Sequence, residues 1–71
     1  MKYSDNIFEL IALAVNAKKK NPEWRWGQSV FNTARAWVLF GKVPDFVNPF
    51  NDDAKVDLFL QWLQEELDLK L

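Results

Sequence analysis

Two stretches of this chain decide its fold: WRWGQSVFN at residues 24–32 and NPFNDDAKVDLFLQWL at residues 48–63. Together they hold three of the four tryptophans. Each combines residues that begin helices with the apolar spacing of an amphipathic helix. They therefore predict the second and third helices of an all-α chain.

The first stretch lies in a helix predicted over about residues 22–40. Asn21 precedes Pro22, which suits the first helical position because proline lacks an N–H group, and Gly41 follows as the C′ residue. Glycine costs a helix ~1 kcal/mol relative to alanine, so Gly27 is expected to admit another backbone or an aromatic ring. The expected core face is Trp24, Trp26, Gly27, Val30, Phe31, Ala34, Trp37 and Val38.

The second stretch predicts a helix over about residues 52–69. Pro49 and Phe50 lead into it. The carboxylates of Asp52 and Asp53 suit its start, because they can cap free N–H groups and complement the positive end of the helix dipole. The expected core stripe is Val56, Phe59, Leu60, Leu63 and Leu67.

Between these helices, residues 41–51 contain breakers of regular structure and are nevertheless apolar. We expect an irregular link that packs against the helices, with one helical turn from Pro44 to Val47. The residues expected to pack are Val43, Phe46, Val47 and Phe50.

Helix one is predicted over about residues 5–19, with Ser4 or Asp5 as the N-cap. Its apolar residues cover more than half of the helical wheel, which suits a central helix. They are Ile7, Phe8, Leu10, Ile11, Leu13, Ala14 and Val15. The predicted fold is a compact three-helix bundle that forms a single domain over residues 1–71.

Composition narrows the classes of function. The chain has neither cysteine nor histidine, which removes thiolate nucleophiles, thiolate zinc sites and the commonest acid-base side chain. The carboxylates of Asp52, Asp53 and Asp57 do not follow the calcium-loop spacing. We therefore expect no enzyme, no metal, no cofactor and no small-molecule substrate.

Charge is distributed unevenly along the chain. Residues 1–43 carry seven lysines and arginines against three acidic residues, a net +4, and residues 44–71 carry two against seven, a net −5. The two parts can attract each other within one chain or between two copies. A membrane span is not expected, because no run of about 18 apolar residues occurs. The start also lacks a secretory pattern, so a cytoplasmic location is predicted.

The order of these residues resembles a family of small bacterial and phage-associated proteins without an assigned activity. That family shares arginine-x-glycine-glutamine-x-x-x-asparagine, then aspartate-proline-phenylalanine-x-x-aspartate before a terminal apolar helix. The matching residues here are Arg25, Gly27, Gln28, Asn32, Pro49, Phe50 and Asp53. Asn48 stands where the family has its first aspartate. The resemblance implies a phage or prophage setting and no particular activity.

A polar strip follows 3, 4, 3 spacing on helix two: Arg25, Gln28, Asn32 and Arg35. It could bind a carboxylate, a phosphate or a partner backbone. The alternative is internal: an arginine pairs with Asp52 or Asp53, while the two amides bond the link backbone at residues 48–51. The internal role is the expected one, and the binding role stays open.

A second apolar stripe on helix three is the best indication of a partner: Leu58, Trp62 and Leu69. A chain of this length buries only ~60% of its unfolded surface, so it has difficulty covering two stripes. The stripe predicts a protein interface, either with another protein or within a homodimer, unless the link or the Tyr3 end of helix one covers it.

Nucleic-acid binding is the alternative function, because cations lie near Trp24 and Trp26, whose rings could stack on bases. Against it, the chain is mildly acidic and no helix presents a basic face. The cations are Lys18, Lys19, Lys20, Arg25 and Arg35.

Overall fold

Three α-helices form the fold: α1 (Asp5–Lys20), α2 (Trp26–Trp37) and α3 (Val56–Lys70). Two short 3₁₀ turns, Asp45–Val47 and Asp53–Lys55, lie in the connection between α2 and α3. The computed structural model describes residues 4–37 and 41–70, with side chains as far as residue 67. Those ranges contain no strand. The predicted all-α three-helix bundle is confirmed.

Helix α1 begins at a side-chain cap. The Ile7 N–H donates to Ser4 Oγ at 3.4 Å, so Ser4 is the N-cap. At the other end, Asn21 closes the helix by donating from its backbone N–H and its Nδ2 to the Ala17 carbonyl, at 2.9 and 3.0 Å. The helix therefore ends at Lys20, close to the predicted boundary.

The expectation that helix one is central and buried over more than half its circumference is wrong. Ile7, Leu10 and Ala14 are fully buried, whereas Phe8, Leu13 and Val15 are 54%, 40% and 40% exposed. The helix packs closely against α2 along one narrow line. At that line, the buried Ser29 hydroxyl donates to the Ala14 carbonyl at 2.7 Å. Small residues bring the two backbones together there, and both flanks of α1 stay open.

Helix α2 begins at Trp26, four residues later than the predicted Pro22. Residues 21–25 instead form a turn, in which the Trp24 N–H donates to the Asn21 carbonyl at 2.9 Å. The Lys18 ammonium donates to the Trp24 carbonyl at 2.7 Å and fixes the other side of the turn. Asn21 cannot begin α2, because it already closes α1.

The predicted end of helix two at Phe40, like its core residue Val38, lies outside the described residues. Gly41 does not have the positive φ that glycine usually takes at a C′ position. The four buried residues of α2 are Gly27, Ser29, Val30 and Ala34. Trp24, Trp26, Phe31 and Trp37 are half-buried, which makes the predicted aromatic core face only partly internal.

The link packs as predicted, with one exception. Val43 and Val47 are buried, Pro49 is fully buried, and the predicted turn is present as Asp45–Val47. Phe46, expected to pack, is 70% exposed. With about three residues per turn, a single 3₁₀ turn that directs Val47 inward directs its neighbour outward.

Helix α3 places its predicted core stripe inside the bundle. Val56, Phe59, Leu60 and Leu63 are buried, and Leu67 packs against them. The α-helix itself starts at Val56 instead of residue 52, because the capped 3₁₀ turn Asp53–Lys55 forms its first part. These side chains join those of α1, α2 and the link in one core.

Gly27 is the point where the link touches α2. A Cβ atom placed on Gly27 would overlap the Pro49 carbonyl oxygen and would lie 3.1 Å from Asp53 Oδ1. The expectation that this glycine admits another backbone is confirmed. No side chain larger than hydrogen fits there without moving the link.

We predict that Gly27→Ala destabilises the protein by about 1–3 kcal/mol, because the added methyl group overpacks against backbone. This loss exceeds the ~1 kcal/mol that alanine contributes to helix propensity. Gly41→Ala is the matched control, since nothing lies within 4 Å of its added Cβ. Urea unfolding of both variants measures the difference. A stabilised Gly27→Ala variant would contradict the close contact.

Candidate functional site

Asp53 joins the two motif segments at the start of α2. Its Oδ1 accepts a hydrogen bond from the Gly27 N–H at 2.8 Å and lies 3.8 Å from Arg25 Nε. Arg25, the residue just before the helix, has no acceptor in its side chain. Asp53 therefore serves as the N-cap side chain of α2, supplied from 26 residues farther along the chain.

The capping contact contributes more to this junction than the ion pair does. The Arg25 and Asp53 side chains are 63% and 44% exposed, and such exposed pairs contribute ~0–1 kcal/mol. Loss of a capping side chain costs ~0.5–2 kcal/mol. The predicted pairing of Arg25 with Asp53 is present. Of the two contacts that Asp53 makes, the hydrogen bond from the Gly27 backbone contributes more to stability.

The link satisfies its own backbone through local turns. The Val47 N–H donates to the Pro44 carbonyl at 3.1 Å, and the Asn48 N–H donates to the Asp45 carbonyl at 3.2 Å. Asn48 Oδ1 then accepts from the Phe50 N–H at 2.9 Å, a contact that an aspartate oxygen could equally make. These turns satisfy the N–H groups of residues 47, 48 and 50 within the link itself.

The predicted bonds from the Gln28 and Asn32 amides to the link are absent from the described part of the chain. Both side chains are half-buried. Asn32 instead lines a cleft of about 530 Å³ between α1 and α2, beside Trp24 and Trp37. Asn32 thus lies on the side of α2 that borders the cleft with α1.

Arg35, the last member of the polar strip, lies over an aromatic ring. Its Cζ is 5.8 Å from the centroid of Phe31, a geometry that allows a cation–π contact. Phe31 also meets Phe50 edge-on, with centroids 5.8 Å apart and planes at 88°. The two arginines of the strip therefore contact different groups of this chain, Asp53 and the Phe31 ring.

The acidic residues at the start of helix three act as caps. Asp52 Oδ1 accepts from the Ala54 N–H at 3.0 Å and begins the second 3₁₀ turn, while Asp53 caps α2. Their carboxylates therefore serve two different backbone segments. In the ranges that the structure describes, no three acidic residues gather as metal ligands would.

The lysine cluster at the end of α1 is divided. Lys18 bonds the Trp24 carbonyl, whereas Lys19 and Lys20 are exposed. Trp24 and Trp26 are half-buried, so neither ring is fully available for stacking on a base. The two arginines already contact other side chains, as described above. Three of the five cations named for nucleic-acid binding thus contact groups of this same chain.

The predicted interface on helix three is partly open. Leu58 is 46% exposed. Trp62 is half-buried and stacks on Phe59, with centroids 6.0 Å apart and planes at 25°. The side chain of Leu69 lies outside the described residues. Leu58 and the outer part of Trp62 therefore form the accessible portion of this stripe.

A second exposed apolar face lies on α1, where sequence reasoning assigned Phe8 and Val15 to the core. They are seven residues apart and share one side of the helix with Lys19. Beyond Val15, a depression of about 370 Å³ is lined by Val15, Lys18, Lys19, Pro22 and Trp26. The unusual width of the apolar stripe on helix one was the pattern that could have revealed this face.

Comparison of the chain with family models, with curated proteins and with solved structures found no match. None of the helices in the described ranges has the length and apolar character needed to cross a bilayer. The assignment of a site therefore depends on the contacts above.

We predict that Asp53→Ala lowers the free energy of unfolding by ~1–2 kcal/mol, because α2 loses its cap. Asp53→Asn should cost less, because an amide oxygen can still accept the Gly27 N–H and only the exposed ion pair is lost. Arg25→Ala is the matched control: it removes the ion pair and leaves the cap. Denaturant unfolding of the three variants gives the comparison. Equal losses for all three would show that charge, not capping, holds the junction.

Proposed function

We propose that this chain is a small, non-enzymatic accessory protein that acts by binding another protein through exposed apolar side chains. The observation that carries the proposal is the position of Phe8 and Val15 on the outer side of α1 and of Leu58 on the outer side of α3. A cytoplasmic location and a phage or prophage setting are part of the proposal, and they come from the sequence alone.

Burial energetics support a protein partner. Each Å² of apolar surface removed from water contributes about 25 cal/mol. Phe8 and Leu58 are about half exposed, so burial of their remaining apolar surface against a partner would be favourable. Exposed apolar side chains are common singly, but grouped ones mark interaction sites. Val15 lines the same depression as Pro22 and Trp26. The apolar side chains of the α1 face are therefore grouped and do not stand singly.

The internal contacts of the polar strip also favour a protein partner over a nucleic acid. Lys18, Arg25 and Arg35 each contact a group of this same chain. Phosphate binding would have to compete with those contacts, and Lys19 and Lys20 remain as the cations of the cluster without a described contact. Val15 and Leu58, by contrast, are 40% and 46% exposed.

Site-specific photo-crosslinking in cells tests the proposal. With p-benzoylphenylalanine in place of Val15 or Leu58, irradiation should give discrete covalent adducts with protein, because both positions lie on the proposed binding faces. Lys42 and Asn51 are the controls, since both are exposed in the link. Absence of adducts at residues 15 and 58, or identical adducts from the controls, would contradict a protein-binding function.

A further inference from the structure

The exposed faces of α1 and α3 carry matching features. The α1 face consists of Phe8, Ala12, Val15 and Lys19, all exposed. The α3 face consists of Leu58, Trp62 and Glu65, spaced four and three residues apart, with Leu58 and Glu65 exposed and Trp62 half-buried. Each face is an apolar stripe with one charge at its C-terminal end, positive on α1 and negative on α3.

Charge complementarity extends beyond these two side chains. The last turn of α1 contains Lys18, Lys19 and Lys20, and α3 carries four acidic residues against one lysine. The last turn of α1 is thus basic, whereas α3 carries a net negative charge. A helix resembling α3 is the kind of surface that the α1 face would bind most favourably.

We propose that the partner is a second copy of this chain, with the α1 face of one copy packed against the α3 face of the other. The inference rests on the proposed protein-binding function and names its partner. In a two-fold pair each copy uses both faces, so the contact forms twice.

The charges also determine the relative direction of the paired helices. If α1 and the partner's α3 run in the same direction, Lys19 lies beside Glu65, Val15 beside Trp62, and Ala12 beside Leu58. The rise of 1.5 Å per residue keeps these positions in step over about two turns. In the opposite direction, the acidic end of α3 would meet Asp5 and Glu9 at the start of α1. The parallel arrangement is therefore the proposed one.

The available surface is large enough for such a pair. A stable interface of standard size uses about 800 Å² from each partner, roughly a sixth of the 4662 Å² that this chain exposes. The seven residues of the two faces supply only part of that area, so neighbouring residues of α1 and α3 must contribute the rest. Self-association would also supplement the small core of a 71-residue chain.

Charge reversal with rescue tests the inference on the purified chain. By sedimentation equilibrium, the wild-type chain should form dimers, and Lys19→Glu or Glu65→Lys alone should weaken the dimer by roughly tenfold or more, because like charges then face each other. An equimolar mixture of the two variants should restore it, since both contacts of the mixed pair again join opposite charges. Lys20→Glu is the matched control: it makes the same change of net charge on the flank of α1 that lines the cleft with α2, away from Glu65, so it should weaken the dimer much less than Lys19→Glu.

A strict monomer at ~1 mM, a concentration that detects even weak pairing, would overturn the inference. So would a mixture that fails to associate while circular dichroism shows both variants folded. In either case, adducts of Val15 or Leu58 with a different protein would leave the proposed function standing. If those positions give no adducts at all, the proposed function fails as well.

Engineered cysteines test the direction of the helices, and the absence of native cysteine makes the result unambiguous. Oxidation of a mixture of Lys19→Cys and Glu65→Cys should give the disulfide-linked mixed dimer, because paired Cα atoms must lie about 4.4–6.8 Å apart. A mixture of Lys19→Cys and Asp57→Cys should give little. A preference for the second pair would overturn the parallel arrangement.

Discussion

The hydrogen bond from the Gly27 N–H to the Asp53 carboxylate is the contact on which the rest of this fold depends. It supplies the N-terminus of α2 with a cap that its own sequence lacks. It also holds the start of helix three against α2, because Asp53 belongs to the 3₁₀ turn that leads directly into α3. One carboxylate thus fixes the start of one helix and the position of another. The absence of a side chain on Gly27 makes this possible, since the Pro49 carbonyl occupies the space that a Cβ atom would need.

Four of the seven residues that carry the sequence resemblance meet at this junction. Arg25, Gly27, Pro49 and Asp53 are all in contact there, and Phe50 reaches Phe31 edge-on a short distance away. Their arrangement explains the spacing of the two motifs without any ligand: one motif provides the exposed helix start, and the other provides the cap and the backbone that packs on it. In this chain these residues of the two motifs therefore join α2 to the start of α3.

Features that depend on local chemistry were predictable from the sequence, and features that depend on distant partners were not. The Ser4 cap, the turn near Val47 and the core stripe of α3 follow from side-chain type and spacing. The close approach at Gly27 was also predictable, because a glycine inside an apolar helix face requires a reason.

The start of α2 was predicted wrongly because its cap comes from Asp53, and Asn21, the local candidate, closes α1 instead. No local pattern distinguishes these two uses of an asparagine between helices. The exposure of Phe8 and Val15 has a similar origin, since a helical wheel shows which residues are apolar but not how much of them the neighbouring helices can cover. Because α1 contacts α2 along the line of Ser29 and Ala14, α2 does not cover the apolar side chains on either flank of α1.

The same contacts give the two apolar faces a fixed relative position. Asp53 sets α3 against α2, and the Ser29 hydroxyl sets α1 against α2. The Ser4 N–H, which donates to the Gln64 side chain at 2.6 Å, ties the start of α1 to α3. Surfaces held in place before they bind lose less conformational entropy on association, so a modest apolar area can give measurable affinity. In the proposed interaction these polar contacts would act indirectly, because they hold in place the apolar faces that a partner would contact.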